Sequence, residues 1–238
     1  TLNAIKVWLV IQNASTKIID EYTDYIKDLS DEKSNGVKKQ EKNSLEEDLG
    51  ENFDFKKMQG TITDYIEKNI GDATGNELVK LLLLGLYSLQ PPTRIGNYLD
   101  KNYLMVMRSP DKPSSTSAKA KDGKYKFIFN KYKTSKHLGK VELPVTHPLL
   151  IKLIEKHISS KKGRTPKFLE KTQSGITNML NTITKKVLNT PFSVNVFRHS
   201  FLTDFLKGNP SIAEKERVAK IVGQKYEAPR MEKYARIE

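Results

Sequence analysis

The chain has 238 residues, enough for one large domain or two smaller ones with real cores, and its 37% apolar content and mean hydropathy of −0.57 describe a water-soluble protein. Its longest apolar stretch, residues 78–89, falls short of the ~20 residues a membrane-spanning helix needs, and residues 1–10 have neither the basic start nor the cleavage site of a signal peptide; lacking an initiator Met, the chain reads as beginning inside a longer protein. With no cysteine there is no disulfide or thiolate metal site, and His137, His147, His157 and His199 show no ligand spacing with carboxylates, so neither metal nor cofactor is expected.

The net charge of +13 is unevenly spread. Residues 1–70 hold 10 Lys+Arg against 14 Asp+Glu, and the rest of the chain holds 31 against 14. A surface that basic suits a polyanion such as double-stranded DNA, because each phosphate neutralised releases condensed counterions. A plain solvated surface is the competing reading, since only 7 of the 41 basic residues are arginine and the lysine excess also suits an AT-rich genome.

In chain order, residues 2–29 read as helical, with Ile18, Ile19, Tyr22, Tyr25, Ile26 and Leu29 at helical spacing. Residues 30–50 are polar and highly charged and read as a linker or mobile loop. A second helix is predicted over residues 55–69, ending near Gly71. Two regions follow: an acidic helical N-terminal part or linker at 1–70 and a basic domain at 71–238.

Within the basic region, residues 77–90 are apolar nearly all round and predict a buried helix, stopped by Pro91 and Pro92 because proline lacks an N–H and clashes with the preceding turn. Arg94 then falls just past that helix, where a charge can reach a cleft. Strands are predicted at 101–108 and 124–129, with a hairpin partner from Gly139 and Lys133 in the connection before it. Thr146 is predicted to cap a helix burying Leu149, Leu150, Leu153, Ile154 and Ile158, and Ile176, Met179, Leu180, Ile183 and Val187 mark another. Ser193 is placed to cap a helix carrying Phe197, Phe201 and Phe205, with Asn195 and Arg198 on a neighbouring face. Ser211 and Glu214 form a capping box, Gly223 is expected to end that helix, and Pro229 suits the first turn of a last helix carrying Tyr234.

Metal-free cleavage of a phosphodiester needs an oxygen nucleophile, cations on the non-bridging oxygens and an acid for the leaving oxygen. Arginine suits the second task, since its fork gives a phosphate two hydrogen bonds and stays charged. A lysine near other cations can supply the proton, and a tyrosine in a cationic pocket can attack. Each candidate also has a plain structural reading: Arg94 paired with Asp100, Lys133 as one of 34 lysines, Tyr234 packed beside Met231. Arg198 sits in an aromatic-rich helix, and an arginine buried there must be paired.

The order Arg94 in PPTRIGNYLD, Lys133 in NKYKTSKHLGK, Arg198 in VNVFRHSFLTDFL and Tyr234 in VGQKYEAPRMEKYARIE resembles the signature boxes of the tyrosine recombinase (integrase) superfamily over roughly residues 72–238. The resemblance implies a mostly helical α+β catalytic domain with a small antiparallel sheet, preceded by a partial helical domain, with residues 1–70 a partial core-binding domain or linker. It implies a site-specific recombinase or integrase that cuts and rejoins double-stranded DNA through a 3′-phosphotyrosine, with Arg94 and Arg198 on the phosphate, Lys133 as acid and Tyr234 as nucleophile. Lys131 and Lys136 rival Lys133. Asn195 and Gln224 stand where the family usually carries residues that assist proton transfer and hydrogen-bond the phosphate; both can donate hydrogen bonds, and neither can act as a general base near neutral pH. Lys131, Lys136, His199 and Lys225 are expected to contact DNA, with His199 a hydrogen-bonding residue more than a catalyst.

The proline-rich first box is similar to recombinases of eukaryotic mobile elements and large DNA viruses, which implies a protein working inside the cell with DNA, in a nucleus if the host is eukaryotic, and self-associating on its substrate. Two alternatives are a type IB topoisomerase-like activity and a DNA-binding protein whose catalysis has lapsed.

Overall fold

A computed structural model describes residues 8, 12, 14–38, 54–99, 104–108, 125–129, 135–160 and 168–223, without side chains at 30–38, 104–108 and 137–138. It is a mostly helical α+β structure with a small antiparallel sheet. No helix among the described residues is long and apolar enough to cross a membrane.

Helix α1 runs Thr16–Lys38, so it continues through the first part of the segment expected to be a linker from Ser30. The composition misled here: Glu32 and Lys33 are good helix formers, no proline intervenes, and backbone hydrogen bonds can extend a helix without apolar anchors. Residues 39–50 of that expected linker lie outside the described residues, as does most of the span expected to be helical before Ala14.

Helix α2, Phe55–Asn69, starts where Asp54 accepts a hydrogen bond from Lys57 N at 2.9 Å. Phe55, Met58, Ile62 and Ile66 recur every three or four residues, giving one buried stripe. That stripe joins the core formed by the later helices, together with Ile70 and Ala73. The expected boundary at residue 71 therefore falls inside a continuous core, and α2 packs with the basic region. An apolar stripe must be buried somewhere, whichever way the charge balance shifts along the chain.

Helix α3, Gly75–Ser88, is central: Leu78 and every residue from Leu81 to Gln90 are buried. It meets α5, Pro148–Ser160, at Gly85, where a Cβ would lie 2.9 Å from Leu153 Cδ1 and 3.2 Å from Leu150 Cδ1, so a larger residue would require these leucine ends to shift. Helix α5 starts at Pro148, and its first bond runs from Ile151 N to His147 O, so the predicted Thr146 cap lies one residue too early. Proline favours this first-turn position because its fixed φ is already helical. Ile158, expected on the buried side, is 43% exposed. His157 is buried in its place, hydrogen-bonded through Nε2 to Phe168 O at 2.7 Å, which lets a polar ring occupy the core.

Past Pro91 and Pro92, a short 3₁₀ turn, Ile95–Tyr98, leads toward the sheet. Strands β1 (Leu104–Arg108), β2 (Tyr125–Phe129) and β3 (Val141–Val145) pair antiparallel in that order, with Phe127 opposite both Val106 and Leu143. Pro144 is tolerated because β3 is an edge strand of this sheet. The connection between the hairpin strands β2 and β3 contains the one-turn helix α4, Ser135–Leu138. Phe127 and Phe129 meet Tyr98 edge to face at 5.3 and 5.8 Å between ring centres, tying the sheet to the turn after Arg94.

Helix α6, Gln173–Leu188, is capped by Thr172 and ends at Asn189 in the left-handed region (φ 60°). Helix α7, Val194–Lys207, is capped by Ser193, and α8, Ile212–Ile221, by the predicted Ser211–Glu214 box. Leu202 and Leu206 of α7 pack with Val218, Ala219 and Val222 as a small second core. That packing draws the C-terminal end of α8 toward Arg198.

Candidate functional site

Arg94 lies between two elements, immediately before the 3₁₀ turn, in extended backbone (φ −69°, ψ 144°). The diproline that ends the preceding helical run and the packing of Tyr98 together set its position. Arg198 lies one turn into α7, on the face turned from solvent, with only 4% of its surface exposed. The two arginines, 104 positions apart in sequence, line one cleft of about 470 Å³ together with Asn195, Ser193, Gln173 and Thr177.

Each guanidinium is held by the end of α8. Arg198 Nη2 donates to Val222 O at 2.8 Å, and Arg94 Nη2 donates to Gly223 O at 3.2 Å. Carbonyls at a helix C-terminus lack intrahelical partners and carry partial negative charge, which offsets part of the cost of two cations in one cleft. Arg198 Nη1 also donates to Asn195 Oδ1 at 3.3 Å. Since a guanidinium only donates, the amide oxygen must face it, leaving the Asn195 Nδ2 donors for other partners. Arg94 Nε is buried and has no hydrogen-bond partner among the described residues.

The remainder of the cleft is neutral or donor-rich. No carboxylate lines it among the described residues. Ser193, Val194 and Asn195 bring the N-terminal end of α7 to its wall and Gln173 brings that of α6, so two positive helix ends face the same space as the two arginines. An anion with several oxygens is the ligand this arrangement stabilises.

Beneath the cleft the packing is aromatic. Tyr87 stands 6.0 Å from both Tyr98 and Phe197 between ring centres. Burial pushes the Tyr87 phenol well above its usual range, Tyr98 adds to this, and nearby Arg198 opposes it. Tyr98 is likewise raised by burial, against hydrogen bonds from Thr93 and Gln90. Both phenols are therefore neutral supports at physiological pH.

Among the residues singled out by sequence, Arg94, Asn195 and Arg198 meet at this cleft. Lys136 is exposed on α4 and is not part of its lining. His199 is half-buried in α7, its carbonyl accepting from Thr203 Oγ1 at 2.9 Å, and it too lies off the lining. Lys131, Lys133, Gln224, Lys225 and Tyr234 lie outside the described residues. Sequence reasoning overlooked Gln173, Thr177 and the two terminal carbonyls. The carbonyls carry no residue signature, and Gln173 and Thr177 become relevant only once α6 is placed beside Arg94. Comparisons with protein-family models, curated proteins and solved structures find no match to this chain.

Proposed function

We propose that this chain cuts and rejoins double-stranded DNA through a 3′-phosphotyrosine, as a site-specific recombinase or integrase of the tyrosine recombinase type, its described α+β region forming the catalytic domain. The observation that carries the reading is the cleft in which Arg94 and the buried Arg198 stand together with no carboxylate among the described residues lining the space. The sequence order of the boxes adds to it, as does the basic balance beyond residue 70.

In this mechanism the scissile phosphate sits between the two guanidiniums, which donate to its non-bridging oxygens and stabilise the charge that grows in the pentacoordinate transition state. The Tyr234 oxygen attacks phosphorus, forming the P–O(Tyr) bond as the bond to the 5′ oxygen breaks. Lys133 gives the leaving oxygen its proton, and the phenol proton passes to solvent. Asn195 and Gln224 supply hydrogen bonds to the phosphate. Rejoining runs the same steps backwards, with a 5′ hydroxyl attacking the phosphotyrosine. Lys131, Lys136, His199 and Lys225 contact the DNA, and protomers associate on it.

Trapping on a nicked duplex tests this. Loss of the short fragment that carries the free 5′ hydroxyl strands the covalent intermediate, so wild-type protein accumulates an adduct. Tyr234→Phe, which removes only the attacking oxygen, abolishes the adduct and leaves duplex binding nearly intact. Tyr226, the other tyrosine of the same segment, is the competing nucleophile, and an adduct that persists in Tyr234→Phe and disappears in Tyr226→Phe shows that Tyr226 attacks instead. Absence of any wild-type adduct, with tight salt-sensitive binding, favours a DNA-binding protein without catalysis.

A further inference from the structure

We infer that Gly223 is a positioning residue for the arginine pair: its bare Cα and left-handed backbone hold Arg94 against the end of α8, so that both guanidiniums face one ligand. The catalytic part of the inference rests on the proposed phosphodiester chemistry, while the geometric part stands independently.

Three observations converge on this glycine. Its φ is +76°, a conformation that side-chain-bearing residues rarely adopt. A Cβ at this position would stand 3.1 Å from Arg94 Nε, 3.5 Å from Cδ and 3.7 Å from Cγ, so the arginine stem lies directly across the space a side chain would fill. Its carbonyl accepts from Arg94 Nη2, and the preceding carbonyl, that of Val222, accepts from Arg198 Nη2. Two successive carbonyls thus take one arginine each, and their separation along the backbone sets the separation of the guanidiniums.

A comparison glycine isolates this effect. Gly139 also has positive φ, +63°, but a Cβ there meets nothing within 4 Å. Gly139→Ala therefore reports the backbone cost alone. Gly223→Asn does the reverse, because asparagine tolerates the left-handed region while its Cβ still presses on Arg94.

The experiment combines ¹⁵N-arginine NMR with single-turnover cleavage of a nicked duplex. Gly223→Asn is expected to shift the Arg94 Nε–H resonance, and Gly139→Ala to leave it in place. Cleavage at saturating DNA is expected to fall about tenfold to a hundredfold in Gly223→Asn, with duplex affinity little changed, since misplacement by a fraction of an ångström to an ångström acts on the chemical step. In an Arg94→Ala background the same substitution is expected to have no further effect. An unmoved Arg94 resonance overturns the inference, as does an equal loss of cleavage with and without Arg94. If wild-type protein forms no adduct, the recombinase reading falls, and the NMR comparison still decides whether Gly223 orients Arg94. If Gly223→Asn does not fold, the wild-type spectrum decides: rotation about the Arg94 Nε–Cζ bond must be slower than in exposed Arg217, and equal rates refute the clamp.

Discussion

Arg198→Ala separates the structural role of this arginine from its proposed catalytic one at the centre of the cleft. The arginine donates to Val222 O at 2.8 Å and to Asn195 Oδ1 at 3.3 Å from a position 4% exposed. Its removal takes a charged donor from the carbonyl of a fully buried residue, a loss on the order of 1–3 kcal/mol. Relief from burying a cation opposes that loss. With a domain stability of about 5–15 kcal/mol, the variant should stay folded. On the proposed phosphodiester chemistry, cleavage is expected to suffer far more, since a charged donor aimed at the developing phosphorane charge is worth about 2.7–4 kcal/mol, a slowing on the order of a hundredfold to a thousandfold. Arg198→Lys keeps the charge but loses the fork, and is expected to fall between the two. Urea unfolding gives the stability change, and single-turnover adduct formation on a nicked duplex gives the rate. A folded Arg198→Ala protein that cleaves within about tenfold of wild type refutes the assignment of Arg198 to the transition state.

Truncation tests the shared core. A fragment beginning at residue 72 loses Phe55, Met58, Ile62, Ile66 and Ile70 from it; at about 1.5–3 kcal/mol for each buried side chain, that loss rivals the whole stability of a domain. Residues 72–238 are thus expected to lack a cooperative thermal transition and residues 54–238 to show one, and the longer fragment should bind duplex DNA with an affinity that falls steeply with salt. Cooperative unfolding of the shorter fragment contradicts the packing of α2 described above. Glu142 provides a pH test: hydrogen bonds from Lys140 and then Lys126 lower its carboxyl from 4.5 to about 2. A depressed folded value means the stabilisation is fully present above 4.5 and is lost as pH falls through about 2. Carboxyl NMR titration reads the midpoint directly, Lys140→Ala should raise it, and a midpoint near 4.5 in wild-type protein rules out these ion pairs in solution.

Local signals in the sequence were sufficient wherever a single segment carries the physics. The apolar run at 77–90, the diproline, the alternation in KYKFIF and the Ser211–Glu214 box each specify their element through contacts within a few residues. The same holds for the left-handed stop at Gly223. Local reading failed where the outcome depends on what lies opposite in space. Ile158 and His157 exchange roles because only the assembled core provides the Phe168 carbonyl that lets a histidine be buried. Helix α2 joins the later helices because its stripe finds their apolar surface, which the charge balance of its segment does not reveal. Residue types and order singled out Arg94, Asn195 and Arg198, but their meeting in one cleft depends on α7 packing against α8 and on the end of α8 reaching both arginines. Backbone carbonyls are identical at every position, so only tertiary structure can decide which two of them hold a pair of guanidiniums.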